Sequence, residues 1–179
     1  MEISVESGSP EKLRASIVVV GAFTDGAFPP STQAIDKAFR SALGSAAKAL
    51  ASGAATDATV TLADVEVPGR TLAWRVQQAS RLLADGGYRF DAPSAAKSGK
   101  KQRERGARNI KLLIAGKLDA EVKRAVRRGQ AIAEGMALAR ELGNLPGNVC
   151  NPAYLARTAQ ALGKQFKFEV KVLERSDMK

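Results

Sequence analysis

The chain contains no histidine among its 179 residues, and only one cysteine and one tryptophan. Without histidine, neither Ser-His-Asp nor Cys-His catalysis is available, and the usual histidine-containing zinc sites are excluded. A single cysteine excludes an internal disulfide and makes the cytoplasm the natural compartment. No stretch approaches the roughly 18 apolar residues of a membrane-spanning helix, so no membrane partner is expected. The opening "MEISVESGSPEK" has neither a basic start nor an apolar core and is not expected to be a signal peptide. Acidic residues are scattered and suggest no carboxylate cluster for a metal.

What is present is positive charge and ordinary apolar content. Lys and Arg number 28 against 18 Asp and Glu, a formal net charge of +10, while 45% of residues are hydrophobic, enough to bury a core. From Lys97 to Arg128 twelve Lys/Arg face only Glu104, Asp119 and Glu121. Such an excess attracts nucleic acid or another polyanion; a solvated loop and helix face is the alternative. The candidate nucleic-acid-binding residues are Lys97, Lys100, Lys101, Arg103 and Arg105, in "KSGKKQRER". No aromatic residue is interleaved with them, which gives base stacking little support.

Along the chain, "EISVES" alternates as a half-buried strand. "ASIVVVG" is a continuous β-branched run typical of a strand covered on both faces. Their proximity suggests a hairpin or a crossing at a sheet edge. After the Gly- and Pro-rich "TDGAFPPST", Ser31 or Thr32 can cap a helix with Ile35, Phe39, Leu43, Ala47 and Leu50 on one stripe. "ATVTLADVEV" reads as a strand. A second helix carries Leu72, Val76, Ala79 and Leu83 on one face and ends at Gly86 and Gly87. Trp74 lies off that stripe and reads as a packing anchor. "YRFDAPSAAKSGKKQRERGARN" has no periodicity and is the clearest linker or surface loop.

"IKLLIAG" resumes as a buried strand. The longest helix is expected from about Asp119 to Leu142, with Val122, Ala125, Gly129, Ile132, Met136 and Ala139 on one stripe and Lys123, Arg124, Arg127 and Arg128 largely opposite. Small residues at Ala125, Gly129 and Ala133 would let it lie close against a sheet. "GNLPGNVCNP" then stops one helix and starts another. Gly143 is placed for a left-handed conformation, Pro146 blocks continuation, and Asn151 followed by Pro152 is an N-cap with proline at the first helical position. Cys150, beside Val149, reads as a small buried residue. "FKFEVKVLE" closes as an alternating strand, with Phe166, Phe168, Val170 and Val172 on one face. The fold class is α/β, a mixed β-sheet sandwiched by helices, followed by a long helix and the start of a second domain.

The elbow also carries a resemblance. "ARELGNLPGNVCNPAYLARTAQAL" resembles the segment joining the two domains of leucyl aminopeptidases, the cytosol aminopeptidase family. Arg140, Glu141, Leu142, Asn144, Pro146, Asn148, Cys150, Pro152, Leu155 and Ala156 match its pattern in order. "VESGSPEKLRASIVVVG" and "WRVQQA" resemble parts of the N-terminal domain in bacterial members. The resemblance implies an N-terminal α/β domain at 1–118, an interdomain helix and elbow at 119–150, and the start of a catalytic domain at 151–179. It implies a parent enzyme that removes N-terminal amino acids using two divalent metals, zinc or manganese, in a cytoplasmic hexamer. The expected partners are the protein's own catalytic domain, further copies of the chain, and DNA in the alternative reading. The family's catalytic lysine, arginine and metal-binding carboxylates lie beyond Lys179, so no catalytic or metal residue is assigned, no cofactor is expected on this chain, and the chain by itself is expected to be inactive. The region between the first helix and "ATVTL" is shorter than in the family, which implies an incomplete sheet.

Overall fold

The computed structural model describes residues 2–8, 18–19, 32–90 and 106–178, with the side chains of the first helix described from Phe39 onward. Among the described residues four strands are present: β1 (Glu2–Ser7), β2 (Val18–Val19), β3 (Asp57–Val60) and β4 (Asn109–Ile114). Four α-helices accompany them among those residues: α1 (Thr32–Ser52), α2 (Leu72–Gly86), α3 (Ala120–Asn144) and α4 (Pro152–Phe166). The α/β class expected from the sequence is the class observed.

The sheet order is β1-β4-β3-β2, and every pairing among the described residues is parallel. A mixed sheet was expected, and so was a hairpin or crossing between the first two strands. Instead β1 and β2 lie at opposite edges of the sheet. The reason lies in the connections: β2 to β3 and β3 to β4 are helical crossovers, and such crossovers join parallel neighbours. The register places Ile3 opposite Ile110 and Val5 opposite Leu112 across β1 and β4. Because side chains alternate along a strand, residues 110, 112 and 114 of β4 share a face with Ala58 and Val60 of β3.

That face meets the helices. Phe39, Leu43, Ala47 and Leu50 of α1, Val76, Ala79 and Leu83 of α2, and Val122, Ala125 and Val126 of α3 join Ile3, Val60, Ile110, Leu112 and Ile114 in one buried cluster. The stripes read on α1 and α2 are therefore the buried ones, except that Ile35 lies outside the described side chains and Leu72 is half-buried. Full burial of each large aliphatic side chain contributes about 1.5–3 kcal/mol, so this cluster dominates the stability of the region. Glycines set its closest approaches. A Cβ on Gly129 would lie 2.5 Å from the Gln77 carbonyl oxygen, 2.7 Å from Ser80 Cβ and 3.0 Å from the Arg81 nitrogen. The small residues of α3 thus seat it against α2, where a sheet contact was expected.

The α3 stripe also differs in detail. Val122, Ala125, Val126, Gly129 and Ala133 are buried, whereas Ile132 is 41% exposed. The contact with α2 follows the small residues, and Ala133 takes the place that apolar periodicity gave to Ile132. The strand expected over "ATVTLADVEV" ends at Val60 and gives way to a 3-10 turn, Leu62–Asp64. Arg75 fixes that turn by donating to the carbonyl oxygens of Asp64 (3.0 Å) and Val65 (2.7 Å). Asp64 in turn accepts from the Ala115 N–H at 2.9 Å, tying the turn to the end of β4.

Two compact units divide the chain: Met1–Arg89 with Ser94–Leu138, and Phe90–Pro93 with Ala139–Lys179. The first holds the sheet and the buried cluster. Among the described residues of the second, only Gly163 is buried. Its organisation is local: the end of α3, the elbow, α4, and an extended stretch running to a 3-10 turn at Arg175–Met178. The closing strand expected at "FKFEVKVLE" is not paired. The alternation is there, but no neighbouring strand is present among the described residues, and a strand is defined by its ladder.

Candidate functional site: the elbow and the basic surface

Helix α3 begins on a cap from Asp119, whose Oδ1 accepts the Val122 N–H at 2.8 Å. It continues through Gly143 to Asn144. Gly143 was expected to turn left-handed, yet among the described glycines only Gly69 and Gly106 have positive φ. The helix is stopped by Pro146, two residues beyond its last member, because proline lacks the N–H that would continue the ladder.

The elbow is a compact turn built on one carbonyl. The Pro146 oxygen accepts from Val149 N (2.8 Å) and from Cys150 N (2.9 Å), and the Val149 oxygen accepts from Asn151 N (3.0 Å). Asn151 then caps α4: its Oδ1 accepts from Tyr154 N at 3.0 Å, with Pro152 at the first helical position. That is the arrangement the sequence predicts, and such caps contribute about 1 kcal/mol. Cys150 is half-buried, where full burial was expected. At the far end Lys167 adopts φ 57°, ψ 45°, the left-handed conformation, and Phe168 N donates to the Gly163 oxygen at 3.1 Å.

The charged face of α3 is as the sequence places it. Lys123, Arg124, Arg127 and Arg128 are exposed. Glu121 engages two of them, at 3.0 Å to Arg124 and 3.0 Å to Arg128. Pairs this open to water contribute at most about 1 kcal/mol. The candidate nucleic-acid residues Lys97, Lys100, Lys101, Arg103 and Arg105 lie outside the described residues.

Sequence reasoning misses the surroundings of Trp74. Its ring is 6.3 Å from that of Phe39 in a tilted contact, which fits the packing role expected of it. The guanidinium of Arg70 also sits 4.7 Å from the ring centroid and that of Arg40 5.7 Å. Arg40 comes from α1 and Arg70 precedes α2, so no spacing along the chain announces the cluster. Another charged group is equally silent in the sequence. Asp57, at the start of β3, accepts from Asn109 Nδ2 (2.8 Å) and Thr56 Oγ1 (2.7 Å). Those bonds, with the nearby Lys111 charge adding to them, hold its carboxyl below the usual carboxylate range.

A shallow groove of about 250 Å³ runs between the end of α2 and α3, with Tyr88, Gln130 and Glu134 among its lining. One phenol and one carboxylate supply no paired acid and base. Among the described residues, no three His, Cys, Asp or Glu side chains gather closely enough to hold a metal ion. Among the described residues, no helix is long and apolar enough to cross a membrane.

A parallel α/β unit followed by a proline-stopped helix, an elbow and an asparagine-capped helix defines the class of protein. Residues 17–97 match the profile of the cytosol aminopeptidase family, N-terminal domain. The chain is 51% identical to a probable cytosol aminopeptidase of Azoarcus sp. (strain BH72), over 99% of this chain and 45% of that protein. Among solved structures, a tomato leucine aminopeptidase mutant superposes with a TM-score of 0.70 at 16% identity, over 99% of this chain and 45% of that one. The bottromycin maturation enzyme BotP in complex with Mn superposes with a TM-score of 0.53 at 25% identity, over 75% of this chain and 25% of that one. The chain belongs to the cytosol aminopeptidase family, whose N-terminal domain its residues 17–97 match.

It spans about half the length of the curated relatives it matches. The alignment with the Azoarcus protein runs 229 positions against a chain of 179, so at least 50 positions of the relative have no counterpart here.

Proposed function

We propose that this chain is the N-terminal, assembly part of a metal-dependent aminopeptidase that removes N-terminal amino acids from peptides in the cytoplasm. The observation that carries the reading is 51% identity to a probable cytosol aminopeptidase over 99% of the chain. The similarity to BotP, a maturation enzyme solved in complex with Mn, supports a divalent metal in the parent enzyme. The proposed partners are the catalytic domain and further copies of the chain in a hexamer. On this reading the 179 residues supply a folded support and no chemistry. Purified chain incubated with leucine p-nitroanilide and Mn²⁺ or Zn²⁺ is expected to release no p-nitroaniline above the metal-only control. Metal-dependent turnover that copurifies with the chain would overturn the assignment.

The net charge of +10 favours a second reading, in which the parent protein also binds DNA through Lys97, Lys100, Lys101, Arg103 and Arg105. Contacts to phosphate release counterions, so binding of this kind weakens steeply with salt and shows little sequence preference. Replacing the five by alanine is expected to flatten the salt dependence of DNA binding. An unchanged affinity and slope would leave the stretch a solvated loop.

A further inference from the structure

Two guanidinium groups meet at one indole. Arg70 lies 4.7 Å and Arg40 5.7 Å from the centroid of the Trp74 ring. The fold places each of the three. Arg40 follows the buried Phe39 on α1, and the Phe39 ring packs against the indole at 6.3 Å. Arg70 closes a tight turn: its N–H donates to the Val67 oxygen at 3.0 Å, and Val67 is buried. Gly69 in that turn has φ 72°, a left-handed conformation that glycine adopts readily. Trp74 lies in the first turn of α2, where its N–H donates to the Thr71 hydroxyl at 3.2 Å. The indole is half-buried, while both arginines are exposed.

The chemistry gathered here is that of an anion receptor. Two like charges brought to one ring repel each other, and the negative face of the indole offsets that only in part. A guanidinium over a ring presents its face to the ring and keeps its N–H donors at the edge, in a planar fork that matches oxyanions. Charge and donor count then select the ligand. A carboxylate carries a single charge and is satisfied by one such fork. A phosphate monoester carries about two charges at neutral pH and three terminal oxygens, which two forks from separate segments can share. A neutral or cationic ligand would leave the repulsion in place.

We propose that Arg40, Arg70 and Trp74 form a binding site for the phosphate group of a small phosphate monoester. Arg40 and Arg70 hold the phosphate oxygens, and Trp74 fixes both guanidinium groups before the ligand arrives. All three residues lie in the first unit, and the proposal does not depend on the aminopeptidase reading.

Trp74 is the only tryptophan of the chain, so tryptophan fluorescence reports on this site alone. The 179-residue chain is titrated with glycerol 2-phosphate, with acetate, and with sodium chloride at matched ionic strength. The phosphate ester is expected to change the emission saturably, with half-saturation roughly tenfold or more below that of acetate. Arg40→Gln combined with Arg70→Gln is expected to abolish the saturable change. Arg70→Lys keeps the charge but loses the fork, and is expected to weaken binding roughly tenfold. Isothermal titration calorimetry measures the same affinities without the fluorophore, and circular dichroism shows whether each variant keeps its helix content. A native chain that responds to the ester no more than to acetate or chloride overturns the proposal. So does a double variant that keeps both its helices and its response, or a native chain that responds to a DNA oligonucleotide and not to the ester. If the double variant loses its helices, Arg70→Lys decides, and an unchanged half-saturation overturns the proposal.

Discussion

The two units of this chain are built in opposite ways. In the first, strands distant in sequence are brought together, and three helices close over Val60, Ile110, Leu112 and Ile114. In the second, what holds the chain is local: the Pro146 carbonyl, the Asn151 cap and the left-handed Lys167. Its large apolar residues Leu155, Phe166, Phe168 and Leu173 stay exposed. Backbone ordering costs roughly 1–2 kcal/mol per residue and is offset mainly by buried apolar area. The first unit has that area. The second, taken by itself, has caps and turns, which are small by comparison, so it needs a further surface to become equally firm.

Substitutions separate the two regimes. The largest effect is expected in the first core. Leu43 is fully buried, and Leu43→Ala should destabilise the chain by about 2–5 kcal/mol, read as a shift of the denaturant midpoint. A shift below about 1 kcal/mol would mean the cluster is loosely packed. Next comes Gly129→Ala. The new methyl would meet backbone atoms of α2, which cannot swing aside as a side-chain end can, and overpacking of this kind costs about 1–3 kcal/mol. Stability equal to the native chain would show that α3 does not sit against α2 as described.

Smaller again is Asn151→Ala in the second unit. Losing the cap should cost α4 about 1 kcal/mol. The loss should appear as reduced helix content while the unfolding midpoint of the first unit stays in place. A matching drop in that midpoint would contradict the contrast between the units.

The smallest effect concerns Asp57, whose carboxyl is held low by Asn109 and Thr56. A depressed carboxylate adds stability above its unfolded pKa, about 3.9, and that contribution is lost as pH falls through the lower folded value. Asn109→Ala should raise the Asp57 titration midpoint toward the ordinary value in a carboxyl-carbon NMR titration. No movement would remove Asn109 as the main cause.

Much of this is legible in the residues. The stripe Val76, Ala79 and Leu83 identifies the buried face of α2, and "NP" at 151–152 announces the start of α4. These are short-range signals. Strand order is not legible, because β1 pairs with β4 across more than a hundred residues and nothing near either strand encodes the partner. Periodicity misplaces Ile132 on α3 because it ranks residues by apolarity, while the contact with α2 favours small ones. The turn expected at Gly143 is one its helix does not need, since Pro146 already ends it. At the site level, the elbow and its family likeness are readable. The Arg40, Arg70 and Trp74 cluster is not, because α1 supplies Arg40 while the stretch entering α2 supplies Arg70 and Trp74.

Amide hydrogen exchange, followed residue by residue on the 179-residue chain at low micromolar concentration, tests the contrast most directly. The account predicts the slowest exchange in β4 and in α2 around Val76 to Leu83. Exchange in α4 should be faster by orders of magnitude, since only Gly163 is buried there. Protection in α4 equal to that of β4 would contradict it.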